Sequence, residues 1–241
     1  MEKTIFIQKL IDAFESNGLG GTINNETAEQ LFAFSRSLIE ANERFNLTAI
    51  KDYNGIILKH FADCASVLKH IPTNANLVDV GCGAGFPSFP IAILRKDVTV
   101  TSLDSTAKKI DFINQTADSL NLTNISGVSA RAEDFAKENR EKFDVAISRA
   151  VARLNILDEL CIPLVKIGGK FIAMKSSRGE EEFTEANEGI QKLGAHLDSK
   201  HTITLNYSGE EIEREIFIFT KSKATPAQYP RNYSQISKKP L

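Results

Sequence analysis

A chain of 241 residues is long enough for one large domain, or for a domain with a small appendage. Its 42% apolar and 25% charged side chains are ordinary for a soluble globule. The 29 basic against 31 acidic residues exclude a histone-like or polybasic protein, yet leave room for a local basic surface. No apolar run approaches the roughly 18–20 residues of a membrane span. The N-terminus, Met1 to Leu10, is interrupted by charge and amide and lacks the apolar core of a signal peptide. Cys64, Cys82 and Cys161 are odd in number and form no CxxC pair, against a disulfide framework or a structural zinc site. A cytoplasmic protein with reduced thiols, no metal and no membrane partner is expected, with a monomer as the default state.

Residues 1–72 read as a helical cap. Ile5, Leu10, Ile11 and Phe14 recur at helical spacing until Asn17-Gly18 stops them. Asn24 or Asn25 can cap a second helix carrying Leu31, Phe32, Phe34, Leu38 and Ile39. A third runs from about Gly55 to His70, and Pro72 closes it. Residues 73–241 change period. Short strands at 77–80, 98–103, 125–128, 143–147 and 170–174 alternate with helical stretches near 86–95, 106–120, 134–140, 151–166 and 180–194. Such alternation predicts an α/β fold with a parallel sheet covered on both faces. Strands at 202–207 and 215–220, joined by a short polar link with Gly209, predict a closing antiparallel hairpin.

The first strand runs into Asp79-Val-Gly81-Cys82-Gly83-Ala-Gly85-Phe86-Pro87. Alternate glycines allow a sharp strand-to-helix turn and a close ligand approach. Pro87 suits the first turn of a helix whose free N–H groups favour an anionic group. The second strand ends at Asp104, followed by Ser105, where a carboxylate can accept both hydroxyls of a ribose. Two nucleoside cofactors suit this arrangement. The dinucleotide pattern GxGxxG would need glycine at position 86, which is Phe86. An acid two residues before GxGxG instead resembles the first motif of class I S-adenosylmethionine methyltransferases. Asp79, Gly81, Cys82, Gly83, Gly85, Phe86, Asp104 and Ser105 are therefore the candidate cofactor cradle. Ala132-Glu133 follows the third strand, where a nucleoside base would lie. Arg149 follows the fourth, beside the expected methyl donor, and is the candidate catalytic residue.

Several segments together are more specific: Asn42 to Ile50, His60-Phe-Ala-Asp63, Asp79 to Pro87, Leu103-Asp-Ser105 with Lys108-Lys109, Arg131-Ala-Glu133, Ser148 to Ala152, Gly168-Gly169 and Tyr229-Pro-Arg231. With them the chain resembles the bacterial 16S rRNA guanine-N7 methyltransferase G family, also called glucose-inhibited division protein B. Cys64 and the segment after Arg231 depart from the family's pattern. The resemblance implies a Rossmann-like class I fold with a seven-stranded, mostly parallel sheet. It implies methyl transfer from S-adenosylmethionine to N7 of a guanine in the decoding region of 16S rRNA. It places Gly81, Phe86, Asp104, Ala132, Glu133 and Arg149 at the cofactor. Guanine N7 has a free lone pair and no proton to lose, so an in-line displacement needs orientation rather than a general base. No Asn/Asp-Pro-Pro-aromatic segment for an exocyclic amine follows the fourth strand.

The alternatives are a class I methyltransferase acting on another RNA, a protein or a small molecule, a nicotinamide dehydrogenase, and a non-enzymatic RNA-binding module. For an RNA substrate, Lys175 and Arg178 can join Arg149 in phosphate contact. The tail from Lys221 carries five basic residues, Arg231 among them, with Tyr229 and Tyr233 interleaved and no acid. It reads either as an RNA-contacting segment or as a frayed terminus. His60 and Asp63 share a helix face and are equally readable as a structural pair or as substrate-side residues.

Overall fold

A computed structural model describes residues 1–241. α1 spans Lys3–Ser16 and α2 spans Asn25–Phe45. Asn24 caps α2. Its side chain accepts from the Thr27 N–H at 2.9 Å while Thr27 Oγ1 accepts from the Asn24 N–H at 3.0 Å, satisfying two otherwise orphaned donors. The third cap helix is not regular. One turn, α3 (Tyr53–Gly55), leads into a π-helical stretch, Ile56–Ala62, and then into α4 (Asp63–Ala65). The widened stretch carries His60, and Arg149 donates into it at the Lys59 carbonyl. Insertion of a side chain into the backbone ladder is a common cause of such departures.

The sheet contains β1 (Asn76–Val80), β2 (Thr99–Asp104), β3 (Ile125–Ser129), β4 (Phe143–Arg149), β5 (Val165–Lys175), β6 (Ala195–Tyr207) and β7 (Glu210–Lys221), in the order β3-β2-β1-β4-β5-β7-β6. β1 to β5 are parallel; β7 runs antiparallel to both β5 and β6. The connecting helices are α5 (Ser88–Leu94), α6 (Ala107–Ser119), α7 (Ala132–Glu138), α8 (Leu154–Cys161) and α9 (Gly179–Lys192). Strand order reverses between β1 and β4, so the carboxyl ends of these two strands flank the place where open α/β sheets bind ligands. β6 begins seven residues before the predicted 202. Its outer positions, His196, Asp198 and Lys200, are exposed in alternation, as befits a charged edge strand.

Two apolar clusters sandwich the sheet. One joins cap residues Phe6, Phe34 and Phe61 to Phe86, Phe89 and Ile113, so the cap and the sheet share a single core. The Phe34 and Phe89 rings lie 4.4 Å apart between centroids. The other cluster gathers α8, α9, the buried face of β7 and the tail. The tail ends in an additional helix, α10 (Tyr233–Lys238), which seats a fully buried Ile236. No helix is long and apolar enough to cross a membrane.

Candidate active site

The turn after β1 is pinned by its own backbone. The Gly81 and Cys82 N–H groups donate to the Leu103 carbonyl at 2.8 and 3.0 Å, and the Gly83 N–H donates to Asp104 Oδ2 at 3.1 Å. Gly83 has φ +56°, and a Cβ there would meet nothing nearer than 4.0 Å. The backbone conformation, not crowding, demands glycine at this position, and the space beside it is free for a ligand. At Gly81 a Cβ would sit 2.4 Å from Val151 Cγ2, because the chain after β4 folds back over the turn. That fold-back uses Ala150 at φ +56°, a conformation costing an alanine roughly 1–2 kcal/mol.

Asp104 is the hub. Besides Gly83 it accepts the Thr106 N–H at 2.9 Å on Oδ1, and Lys109 Nζ lies 3.3 Å from Oδ2. Two lobes of one crevice meet at Gly81, Asp104, Lys109 and Val151. The first, about 250 Å³, is bordered by Ser105, Ala132 and Glu133; the second, about 370 Å³, by Cys82, Gly83, Phe86, His60 and Arg149. Asp79 and Gly85 do not reach either lobe. Gly85 packs against Phe89, where a Cβ would lie 2.4 Å from the ring. Asp79 is fully buried, and its Oδ2 takes the Ser88 N–H at 3.1 Å and the Ser88 hydroxyl at 2.5 Å. The polar partner expected at the start of α5 is thus a carboxyl from within the chain, correcting the direct ligand contact expected of Asp79.

Burial pushes the Asp79 carboxyl up to about 7 from an ordinary 3.8. Between these values the folded state holds a proton that the unfolded state has released, so this group's contribution to stability falls as pH rises from about 4 to 7. Asp79→Asn keeps an acceptor for Ser88 and cannot ionise. Its melting temperature relative to the wild type should rise between pH 5 and pH 8; a constant difference across that range would contradict the shift.

Arg149 reaches out of β4 into the cap. Its Nη1 donates to Asp63 Oδ2 at 2.9 Å and to the Lys59 carbonyl at 3.0 Å, and its Nη2 lies 2.9 Å from His60 Nδ1. A guanidinium only donates, so His60 Nδ1 must accept, and the imidazole proton resides on Nε2, 3.1 Å from Thr48 Oγ1. Burial, reinforced by the Arg149 charge, lowers His60 to about 3 and keeps it neutral. Its ring stacks on Phe86 at 4.0 Å. Asp63 is only 1% exposed, and Arg214 Nε stands 3.2 Å from its second oxygen, at ion-pair distance but out of hydrogen-bond alignment. His60 and Asp63 are therefore the buried supports of Arg149.

The residues expected to join Arg149 in meeting RNA phosphate divide. Arg178 is exposed at the start of α9. Lys175 is buried, with Nζ 2.7 Å from the Ala152 carbonyl and 2.8 Å from Glu182. Arg231 grips the fully buried Glu159 with Nε and Nη2 at 2.6–3.1 Å. Lys175 and Arg231 are thus committed to carboxylates, correcting the free cations expected from sequence. Lys109, Thr48, Leu47, Val151 and Tyr233 border the crevice without having been assigned to it. For Leu47, Thr48 and Lys109 the signal lay in the family-like segments Asn42 to Ile50 and Lys108-Lys109.

This sheet order, with a glycine turn after β1 and a carboxylate at the tip of β2, defines a class I methyltransferase fold. Among solved structures, M. jannaschii TYW2 in complex with AdoMet superposes with a TM-score of 0.52 at 15% identity, over 66% of this chain and 74% of that one. The model of the GidB family, rRNA small subunit methyltransferase G, matches residues 27–214, and the chain belongs to that family. It is 42% identical over 240 residues to the ribosomal RNA small subunit methyltransferase G of Staphylococcus carnosus, covering 98% of both chains. The corresponding protein of Staphylococcus aureus strain Newman is 44% identical over 220 residues, 90% of this chain and 91% of that one.

Proposed function

We propose that the chain transfers a methyl group from S-adenosylmethionine to N7 of a guanine in 16S rRNA, free or within the small ribosomal subunit. Family membership supports the substrate class. The crevice fits the cofactor: the Asp104 carboxylate can take a ribose diol, the backbone is open at Gly83, and the lobes together suit a nucleoside with an amino-acid arm. Gly81, Gly83, Asp104, Ser105, Ala132 and Glu133 would hold the nucleoside; Cys82, Phe86 and Arg149 would border the remainder. Bound there, the cofactor supplies an electrophilic sulfonium methyl group.

The observation that carries the N7 reading is that the groups of the second lobe that could take a proton are already committed: the Asp104 carboxylate holds the Gly83 and Thr106 N–H groups and pairs with Lys109. His60 is neutral with both ring nitrogens engaged, and burial raises the Cys82 thiol well above its ordinary range. An exocyclic amine or a pyrimidine C5 would need such a group, whereas N7 needs only alignment. Arg149, fixed by the cap, keeps its cationic plane at the lobe's border. It orients the substrate and takes no proton. Incubation with isotopically labelled methyl donor and separated ribosomal subunits tests this. Label should appear at one guanine of 16S rRNA as a base that, after borohydride reduction, renders the strand cleavable by aniline. Label on an amine, or on the large subunit alone, would overturn it.

A further inference from the structure

The tail has no part in the reaction above, yet its geometry gives it one. The Arg231 N–H donates to Glu159 Oε1 at 2.6 Å, adding to the guanidinium contacts with the same buried carboxylate. Arg140 holds the preceding segment through the carbonyls of Thr225, Pro226 and Tyr229. Ile236 is sunk into the core beside α8. Charge buried on this scale fixes a segment in place, since either partner alone would be left desolvated and unpaired. These anchors bring Tyr233, 39% exposed, to the first lobe of the crevice beside Ser105, Ala132 and Leu160. It is the single aromatic side chain on that lobe's border.

We infer that Tyr233 is a cofactor-contacting residue that packs against the purine of the bound nucleoside, and that Glu159 and Arg231 are its positioning pair. The inference rests on the reading that this lobe holds the nucleoside of S-adenosylmethionine. It assigns the tail to the cofactor instead of to RNA phosphate. The charge distribution agrees, because two of the five basic residues, Lys221 and Arg231, are already neutralised by Glu141 and Glu159. An aromatic face is sequence-tolerant toward ribose-linked bases and binds through stacking, which water does not readily replace.

Calorimetry with S-adenosylhomocysteine tests the assignment on the full chain. Tyr233→Ala should bind about tenfold more weakly than wild type, and Tyr233→Phe about equally. The KM for the methyl donor should rise with kcat at saturating donor and the KM for RNA unchanged. The chain contains no tryptophan, so Tyr233→Trp installs a lone indole whose emission should be quenched on ligand addition. Wild-type affinity in Tyr233→Ala, or a loss confined to RNA binding, would overturn the role of Tyr233. If wild type itself fails to bind the ligand, the reading of the crevice falls and this inference with it. If wild type binds, Asp104→Ala is weakened and Tyr233→Ala is not, the inference alone falls.

Discussion

Asp104→Ala is expected to bind S-adenosylhomocysteine about a hundredfold more weakly than wild type while keeping its overall fold. Two effects combine. A ribose diol loses a charged acceptor, worth about 1.5–3 kcal/mol per hydrogen bond. The glycine turn also loses its tether, because the Gly83 and Thr106 N–H groups both donate to this carboxylate. The second effect costs stability as well as affinity, and Lys109 is left without its partner. Asp104→Asn should fall between the two, since the amide oxygen can still accept from one backbone donor. Calorimetry on the three proteins at one pH gives the ranking; equal affinity for wild type and alanine variant would remove Asp104 from the site.

Arg149→Ala should abolish measurable turnover and also lower the melting temperature markedly. A position at the tip of β4 beside the methyl donor would by itself predict that turnover suffers more than stability. The contacts of Arg149 change that expectation. Removing the guanidinium strands Asp63, 1% exposed, with only the misaligned Arg214 nearby, and leaves His60 Nδ1 without its donor. Breaking a buried pair by deleting one partner costs about 3–5 kcal/mol, roughly 10 °C for a chain of this length. Adding Asp63→Asn to Arg149→Ala removes the stranded charge, so the double variant should regain part of the stability and none of the turnover. A single variant that melts with wild type, or a double variant that recovers activity, would contradict this account.

The alternation of apolar strands with amphipathic helices made the sheet legible, because each buried strand must read as a short branched run. The strand-tip positions of Asp104 and Arg149 followed from the same pattern. What the sequence hid was the pairing of charges distant along the chain. Nothing local ties Arg231 to Glu159 or Arg149 to Asp63: Arg231 reads as a free tail cation and Arg149 as a donor-side residue, and neither shows its buried partner until folding brings the two into reach. The tail helix was hidden for a related reason: with one buried apolar residue in Tyr233–Lys238, it has no periodicity of its own and depends on its anchors. Asp79 was misleading because its place in the motif is equally compatible with touching a ligand and with bracing the helix that follows, and only the Ser88 contacts distinguish the two.

The aromatic seam that runs from Phe6 through Phe61 and Phe34 to Phe89 has a mechanical consequence. A jaw that must swing open to admit a large polyanion needs a greasable hinge, and a continuous mortar of interlocked rings is the opposite. The N-terminal helices are therefore a fixed abutment to the crevice and not a moving part of it.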